Sequence, residues 1–267
     1  MEYIVKNNRS KLRLIPYVGN KSGFAHIFED LIPESFSNLK FYDVFGGGGS
    51  FSFYIAQRFG SKNLIYNDNN PVVVNLIKVL KNNPKELISE YKKHQKKSSL
   101  EYYNGLRDEN LEDMIIGAGK FFYLAKNAFS GKIRFNPKGK FNCPMRKNSN
   151  CPILDDEQIL YVSSLIKNLK IYNKTFDFFD DVTQSFFYLD PPYLNNPNGH
   201  YNGLINPQQF ISFVKKIENN NKVMISEQNN REELQLSEKY RIYPIFLNRS
   251  LQYFTQETSK EIIAVNY

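Results

Sequence analysis

The sequence predicts an α/β fold, a doubly wound and mostly parallel sheet, carrying a smaller basic domain of helices and a hairpin. Three observations predict it. Short apolar runs at Lys40–Phe45, Leu64–Asn67 and Ser185–Leu189 read as buried strands. Helical stretches alternate with them. Two of the runs end on an acid, Asp68 and Asp190, and then meet asparagine or proline, so the chain leaves the sheet there. In open α/β sheets that edge binds ligands.

Length and composition bound the rest. The 267 residues suffice for one large domain and a smaller one. No run of about 18 apolar residues predicts a membrane span. Met1–Ser10 is polar and has no secretory pattern, and Cys143 and Cys151 make neither a disulfide framework nor a zinc site. His26, His94 and His200 do not pair with them, so no metal is expected, and a reducing, cytoplasmic location is. The net charge of +8 is local: between Met114 and Leu154 there is no acid, while Lys120, Lys126, Lys132, Arg134, Lys138, Lys140, Arg146 and Lys147 equal the whole excess of 35 basic over 27 acidic residues. A cationic patch on a neutral body points to a polyanionic partner.

In chain order, Tyr17-Val18-Gly19-Asn20-Lys21 reads as a turn, with Lys21 able to meet a carboxylate or phosphate, before a short helix over Phe24–Leu31. Then come strand Lys40–Phe45, loop Gly46–Gly49 and a helix from Ser50. The glycines allow backbone to pass close to a ligand. No Gly-Lys-Ser/Thr follows, and Phe51 stands where a dinucleotide loop has its third glycine. Asp68, 20 residues beyond Gly48, suits ribose hydroxyls, and Pro71 opens a helix running to about Lys81. Loop and acid fit NAD and S-adenosylmethionine alike. Residues 114–129 read as helix, and the basic ribbon from Phe129 to Pro144, turning at Pro137–Gly139, as a hairpin able to enter a major groove. Helix Gln158–Asn168 and strand Leu169–Asn173 precede Ser185–Leu189. Leu194–Asn206 is a loop of lid length, followed by helix Pro207–Ile217 and strands Val223–Ser226, Tyr240–Phe246 and Glu261–Tyr267.

Asp190-Pro191-Pro192-Tyr193 is the centre of this organisation. An exocyclic amine of a nucleobase is a poor nucleophile because its lone pair is delocalised into the ring. A carboxylate and the Pro191 carbonyl can accept its hydrogens and free that lone pair. The prolines hold both acceptors ready, and Tyr193 offers a face to an unstacked base.

Together these elements resemble the Dam-type DNA adenine-N6 methyltransferases, in which a cofactor motif precedes a target-recognition insertion and a catalytic motif. The resemblance covers nearly the whole chain. It is carried by Tyr17–Lys21, with Asn20 where glycine is usual, by Asp43-Val44-Phe45-Gly46-Gly47-Gly48, Asn67-Asp68 and Asp177-Phe178, and by Gly131-x-x-Arg134-x-Asn136-x-x-Gly139-x-Phe141-Asn142-x-Pro144. Asp190–Tyr193, Arg249-Ser250 and Lys260–Ala264 complete it. It implies a Rossmann-like methyltransferase domain at 1–81 and 154–267 and a DNA-binding domain at 82–153. It also implies S-adenosylmethionine held by Tyr17, Lys21, Asp43, Phe45, Gly46, Gly48, Asp68, Asp177, Phe178 and Asp190. Lys21 would take the methionine carboxylate, and Phe178 and Phe45 the cofactor adenine. Asp190, Pro191, Pro192 and Tyr193 are the implied catalytic set. Ser130, Lys132, Arg134, Asn136, Lys138, Lys140, Pro144 and Arg146 would contact duplex DNA. Ser130 and Lys132 replace the asparagine and leucine common in members that methylate GATC, so the site read stays open. The expected enzyme is a monomer, possible partner to a restriction endonuclease. The rival readings are a cytosine-N4 methyltransferase, which more often has serine at the Asp190 position, an NAD-dependent oxidoreductase, and a DNA-binding module without catalysis.

Overall fold

A computed structural model describes residues 3–4, 12–16, 21–109, 114–136, 139–147, 151–192, 205–228, 234–246 and 260–267. Its frame is one eight-stranded sheet: β1 (Tyr3–Ile4), β2 (Lys40–Asp43), β3 (Leu64–Asn67), β4 (Lys170–Tyr172), β5 (Ser185–Leu189), β6 (Lys222–Gln228), β7 (Arg241–Phe246) and β8 (Lys260–Val265). The order across it is β1-β7-β8-β6-β5-β2-β3-β4. All pairings are parallel except those of β8, which lies antiparallel between β6 and β7. The doubly wound, mostly parallel sheet is as expected. β1 is not: it falls within the polar N-terminal stretch, and two residues held by backbone pairing to Ile245 and Phe246 leave no apolar pattern to read.

Alternation along the strands sorts the core into two faces. Phe41, Tyr66, Phe186, Tyr188 and Met224 pack against α1 (Ala25–Leu31), α2 (Ser50–Phe59) and α3 (Pro71–Asn82). The α3 start follows from its sequence: the Asn70 side chain accepts the amides of Val72 and Val73, and Pro71 occupies the first turn, where its missing N–H costs nothing. On the other face Ile65, Phe187, Leu189, Val223 and Ile225 pack against Phe210, Phe213, Val214 and Ile217, the apolar stripe of the helix Pro207–Ile217.

The insertion supplies α4 (Pro84–Lys96), α5 (Leu100–Arg107) and α6 (Met114–Asn127), and α7 (Asp156–Leu165) follows it. Its fully buried Tyr91, Tyr103, Phe121 and Phe122 belong to the same apolar cluster as Phe41 and Phe186 of the sheet. The core is therefore continuous across residue 82. Among the described residues no helix is long and apolar enough to cross a membrane, and no group of His, Cys, Asp and Glu has a metal-holding arrangement.

Candidate active site

Strand register builds the site. Asp43 ends β2 opposite Tyr66 of β3 and Tyr188 of β5. Asp68 stands one residue beyond β3 and Asp190 one beyond β5. Three acids far apart in sequence thus meet at the C-terminal edge of three adjacent strands.

The glycine loop is tied to these tips by backbone. Val44 N–H donates to the Tyr188 carbonyl at 3.2 Å and Gly46 N–H to the Asn67 carbonyl at 2.7 Å. The Tyr66 hydroxyl donates to the Gly47 carbonyl at 2.8 Å. A Cβ on Gly46 would stand 2.2 Å from the Tyr66 ring, and Gly49 has φ +80° with Phe53 2.5 Å from the place of its Cβ. These two glycines therefore answer to packing inside the protein. Phe51 is buried and stacked on Tyr188, with centroids 4.1 Å apart. It locks the loop's helix to β5, which a third glycine could not do.

Asp68 accepts the Gly47 amide at 2.9 Å and the Asn70 amide at 2.8 Å. Burial pushes its carboxyl upward against the pull of those amides. Asp43 is 1% exposed and accepts the Ser52 hydroxyl at 2.6 Å. Its carboxyl is raised to about 7, first by burial, with Ser52 opposing and Asp190 and Asp68 adding to the rise by repulsion. Asp190 is raised to about 6, first by burial, with Lys21 opposing and Glu261 adding to the rise. The Lys21 ammonium lies 2.9 Å from Asp190 Oδ1 and 3.9 Å from Glu261 Oε2. Burial lowers Lys21, but Asp190, Glu261 and Glu227 outweigh it, and its pKa rises overall. Lys21 was expected to take the cofactor's carboxylate; here its partner is the Asp190 carboxylate. Pro191 is buried and Pro192 half-buried, and Tyr193 and Tyr17 lie outside the described residues.

Phe45 packs against Phe176 at 5.8 Å and Phe210 at 6.0 Å. Phe178 is 55% exposed and lies against Tyr172 and Phe179, with the Lys174 ammonium 5.2 Å from its ring. Asp177 is exposed on the same turn. Phe176, not Phe178, is thus the ring beside the loop. The turn Phe176–Phe179 is a short 3-10 helix, so neighbouring residues diverge in direction.

The basic ribbon forms a hairpin with isolated bridges Phe135–Phe141 and Ala128–Met145. Gly139 N–H donates to the Asn136 carbonyl, and Lys140 N–H to the Asn136 side chain at 3.0 Å. Pro137 and Lys138 lie outside the described residues. Ser130 has φ 54° and Gly131 φ 64°, and a Cβ on Gly131 would meet Pro16 at 2.7 Å. Phe135 and Phe141 seat the hairpin on Phe121 of α6. Ser130, Lys132, Lys140 and Pro144 are exposed, and Arg134, Asn136 and Arg146 partly so. Not every base in the stretch faces solvent. Lys126 donates to the Leu14 carbonyl at 2.9 Å, and burial with neighbouring Arg13 and Arg146 lowers it to about 8. Lys120 pairs with Glu109, and the Lys140 ammonium reaches the Asp108 carbonyl at 2.9 Å.

A sheet of this order, whose glycine loop and buried acids adjoin an Asp-Pro-Pro turn on the next strand, defines an α/β methyltransferase acting on an amine. Residues 17–251 match the family model of the D12 class N6 adenine-specific DNA methyltransferases. The chain belongs to that family and is an adenine-N6 DNA methyltransferase, for which S-adenosylmethionine is the general methyl donor. It is 31% identical over 196 residues to the Type II methyltransferase M.MjaIII of Methanocaldococcus jannaschii, covering 67% of this chain and 68% of the relative. It is also 31% identical over 200 residues to the Type II methyltransferase M1.LlaDCHI of Lactococcus lactis subsp. cremoris, covering 70% and 68%. A solved rRNA methyltransferase from Streptomyces viridochromogenes aligns over 91% of this chain and 83% of its own, at 10% identity and a TM-score of 0.39, too loose a likeness to bear on the site.

Proposed function

We propose that this protein methylates N6 of an adenine flipped out of a specific duplex DNA site, with Asp190 and the Pro191 carbonyl accepting the amino hydrogens. The observation that carries the reading is the meeting of Asp190 with Asp43, Asp68 and the glycine loop at one sheet edge. Charge supports the cofactor. Asp68 and Asp190, joined by Asp43 as it ionises near 7, disfavour a pyrophosphate and suit a ligand with sulfonium and ammonium charges. S-adenosylmethionine, when bound, supplies an electrophilic methyl on that sulfonium. Asp43 and the Gly46–Gly48 loop would face its methionine end, Asp68 its ribose, and Phe45 with Phe176 its adenine; Tyr17 and Asp177 remain candidates.

Asp190 acts as a carboxylate. Accepting an N6 hydrogen, it would draw the nitrogen towards pyramidal geometry and free its lone pair to attack the sulfonium methyl, the sulfur leaving with the bonding pair and the surplus N6 proton passing to Asp190 or water. Pro191 and Pro192 remove backbone freedom from both acceptors, so little reorganisation is required at reaction. Tyr193 would stack on the extruded base, whose unstacking costs a few kcal/mol. Ser130, Lys132, Arg134, Asn136, Lys138, Lys140, Pro144 and Arg146 form the duplex-contacting set, with Arg134 on a guanine and the lysines on phosphates. The same reading includes a cytoplasmic place, a monomeric enzyme and a restriction endonuclease of the same specificity acting on the same DNA.

The test is incubation of purified protein and S-adenosylmethionine with mixed genomic DNA, then nucleoside analysis and mapping of modified bases. N6-methyladenine at one recurring sequence is expected. N4-methylcytosine, or no methylated base, refutes the reading.

A further inference from the structure

We infer that Glu261, on the closing strand β8, is a positioning residue for methyl transfer: it shares the Lys21 ammonium with Asp190 and so keeps Asp190 a strong acceptor. This rests on the role of Asp190 given above. The side chains of Lys21, Glu261 and Asp190 are 4%, 9% and 19% exposed, so all three charges sit largely out of water. β8 is held on both sides, with Glu261 opposite Gln228 of β6 and Ile245 of β7, so its place is set by register and not by a mobile loop. Alternation puts Glu261 and Ile263 on the same face as Tyr188 and Met224, the side from which Lys21 approaches.

An acid buried beside another acid is costly unless a shared cation offsets it. If Lys21 faced Asp190 alone, the tight pair would drain basicity from the oxygen that must bind N6–H. A second carboxylate 3.9 Å from the same ammonium divides its pull. The groups facing Asp190 are Lys21 from before α1, Asp43 from β2, Tyr188 from β5 and Glu261 from β8, while Glu227 of β6 faces Lys21. Glu261 and Glu227 both act on Lys21, and of the two Glu261 also raises Asp190 directly.

The test compares wild type, Glu261→Gln and Glu261→Asp for methyl transfer to genomic DNA across pH 5 to 8. Folding is checked by thermal unfolding and cofactor binding by calorimetry. Removing the negative charge makes Asp190 easier to ionise, so the acid limb of kcat in Glu261→Gln is expected at lower pH than in wild type. Its plateau is expected to fall by roughly tenfold as the acceptor weakens, with KM for DNA unchanged. Glu261→Asp, which keeps the charge one methylene further back, should lie between the two. Coincident acid limbs in wild type and a folded Glu261→Gln overturn the inference, even if the plateau falls. Should the amide variant not fold, an acid limb unmoved in Glu261→Asp overturns it instead. An active wild type with coincident limbs sinks this inference alone; a wild type that forms no N6-methyladenine sinks the assignment of Asp190 as well.

Discussion

The sheet edge and the hairpin both concentrate charge, but they treat it in opposite ways. At the edge Asp43, Asp68, Lys21 and Asp190 are wholly or mostly buried, and hydrogen bonds of 2.6 to 2.9 Å fix their oxygens. On the hairpin Lys132 stands in solvent on a ribbon anchored from below by Phe135 and Phe141. Buried charges have displaced pKa values and a defined geometry, which suits chemistry. Exposed charges keep long reach and mobility, which suits steering a polyanion and adjusting to its phosphates. The lesson is that local charge density does not identify a catalytic site; the degree of desolvation does.

The largest expected effect tests the buried side. Asp190→Ala should lower kcat by at least about 10³-fold, as loss of a preorganised catalytic contact does, while calorimetry still detects S-adenosylmethionine binding. Undiminished turnover would remove Asp190 from the mechanism.

Next comes the stability that the edge gives up. Asp43 is held near 7 in the folded protein against an ordinary 3.8. Between those values the folded state binds a proton that the unfolded state has lost. The favourable contribution is complete below about 4 and is lost as pH rises through 7. At pH 8 the buried carboxylate therefore costs stability. Asp43→Asn should raise stability there by about 1–3 kcal/mol, show no gain near pH 4, and weaken cofactor binding. Thermal unfolding at the two pH values checks the sign; a gain of equal size at both would mean that Asp43 is not held protonated.

The smallest effect concerns the hairpin. Arg134→Ala should cost about 1–3 kcal/mol of discrimination between the preferred site and single-base variants, read as the ratio of kcat/KM values. An equal loss on every sequence would make Arg134 a phosphate contact and would sharpen the contrast between the regions.

Much of the edge was legible before any coordinates. Pro191 and Pro192 force the chain out of β5, so Asp190 has to stand at a strand tip. Gly46–Gly49 and Asp68 are local signals of the same kind. The partner of Lys21 was not legible, because 169 residues separate it from Asp190 and no local pattern links them. Which ring of the Phe176–Phe179 turn packs on Phe45 was a second limit: in a short 3-10 turn, ring direction depends on what the turn packs upon, here Phe45 and Phe210. Composition marks a basic insertion, but the burial of Tyr91 and Phe121 in one cluster with the sheet's core depends on packing through space.

By itself the sequence determined the alternation of strands and helices, the acids at strand tips and the basic hairpin, because periodicity, proline and glycine act within a few residues of themselves. Only the tertiary structure decided which charges lose their water and with whom they share a proton or a cation. Desolvation and Coulomb attraction depend on distance through space, and that distance is set by the register of β2, β5 and β8.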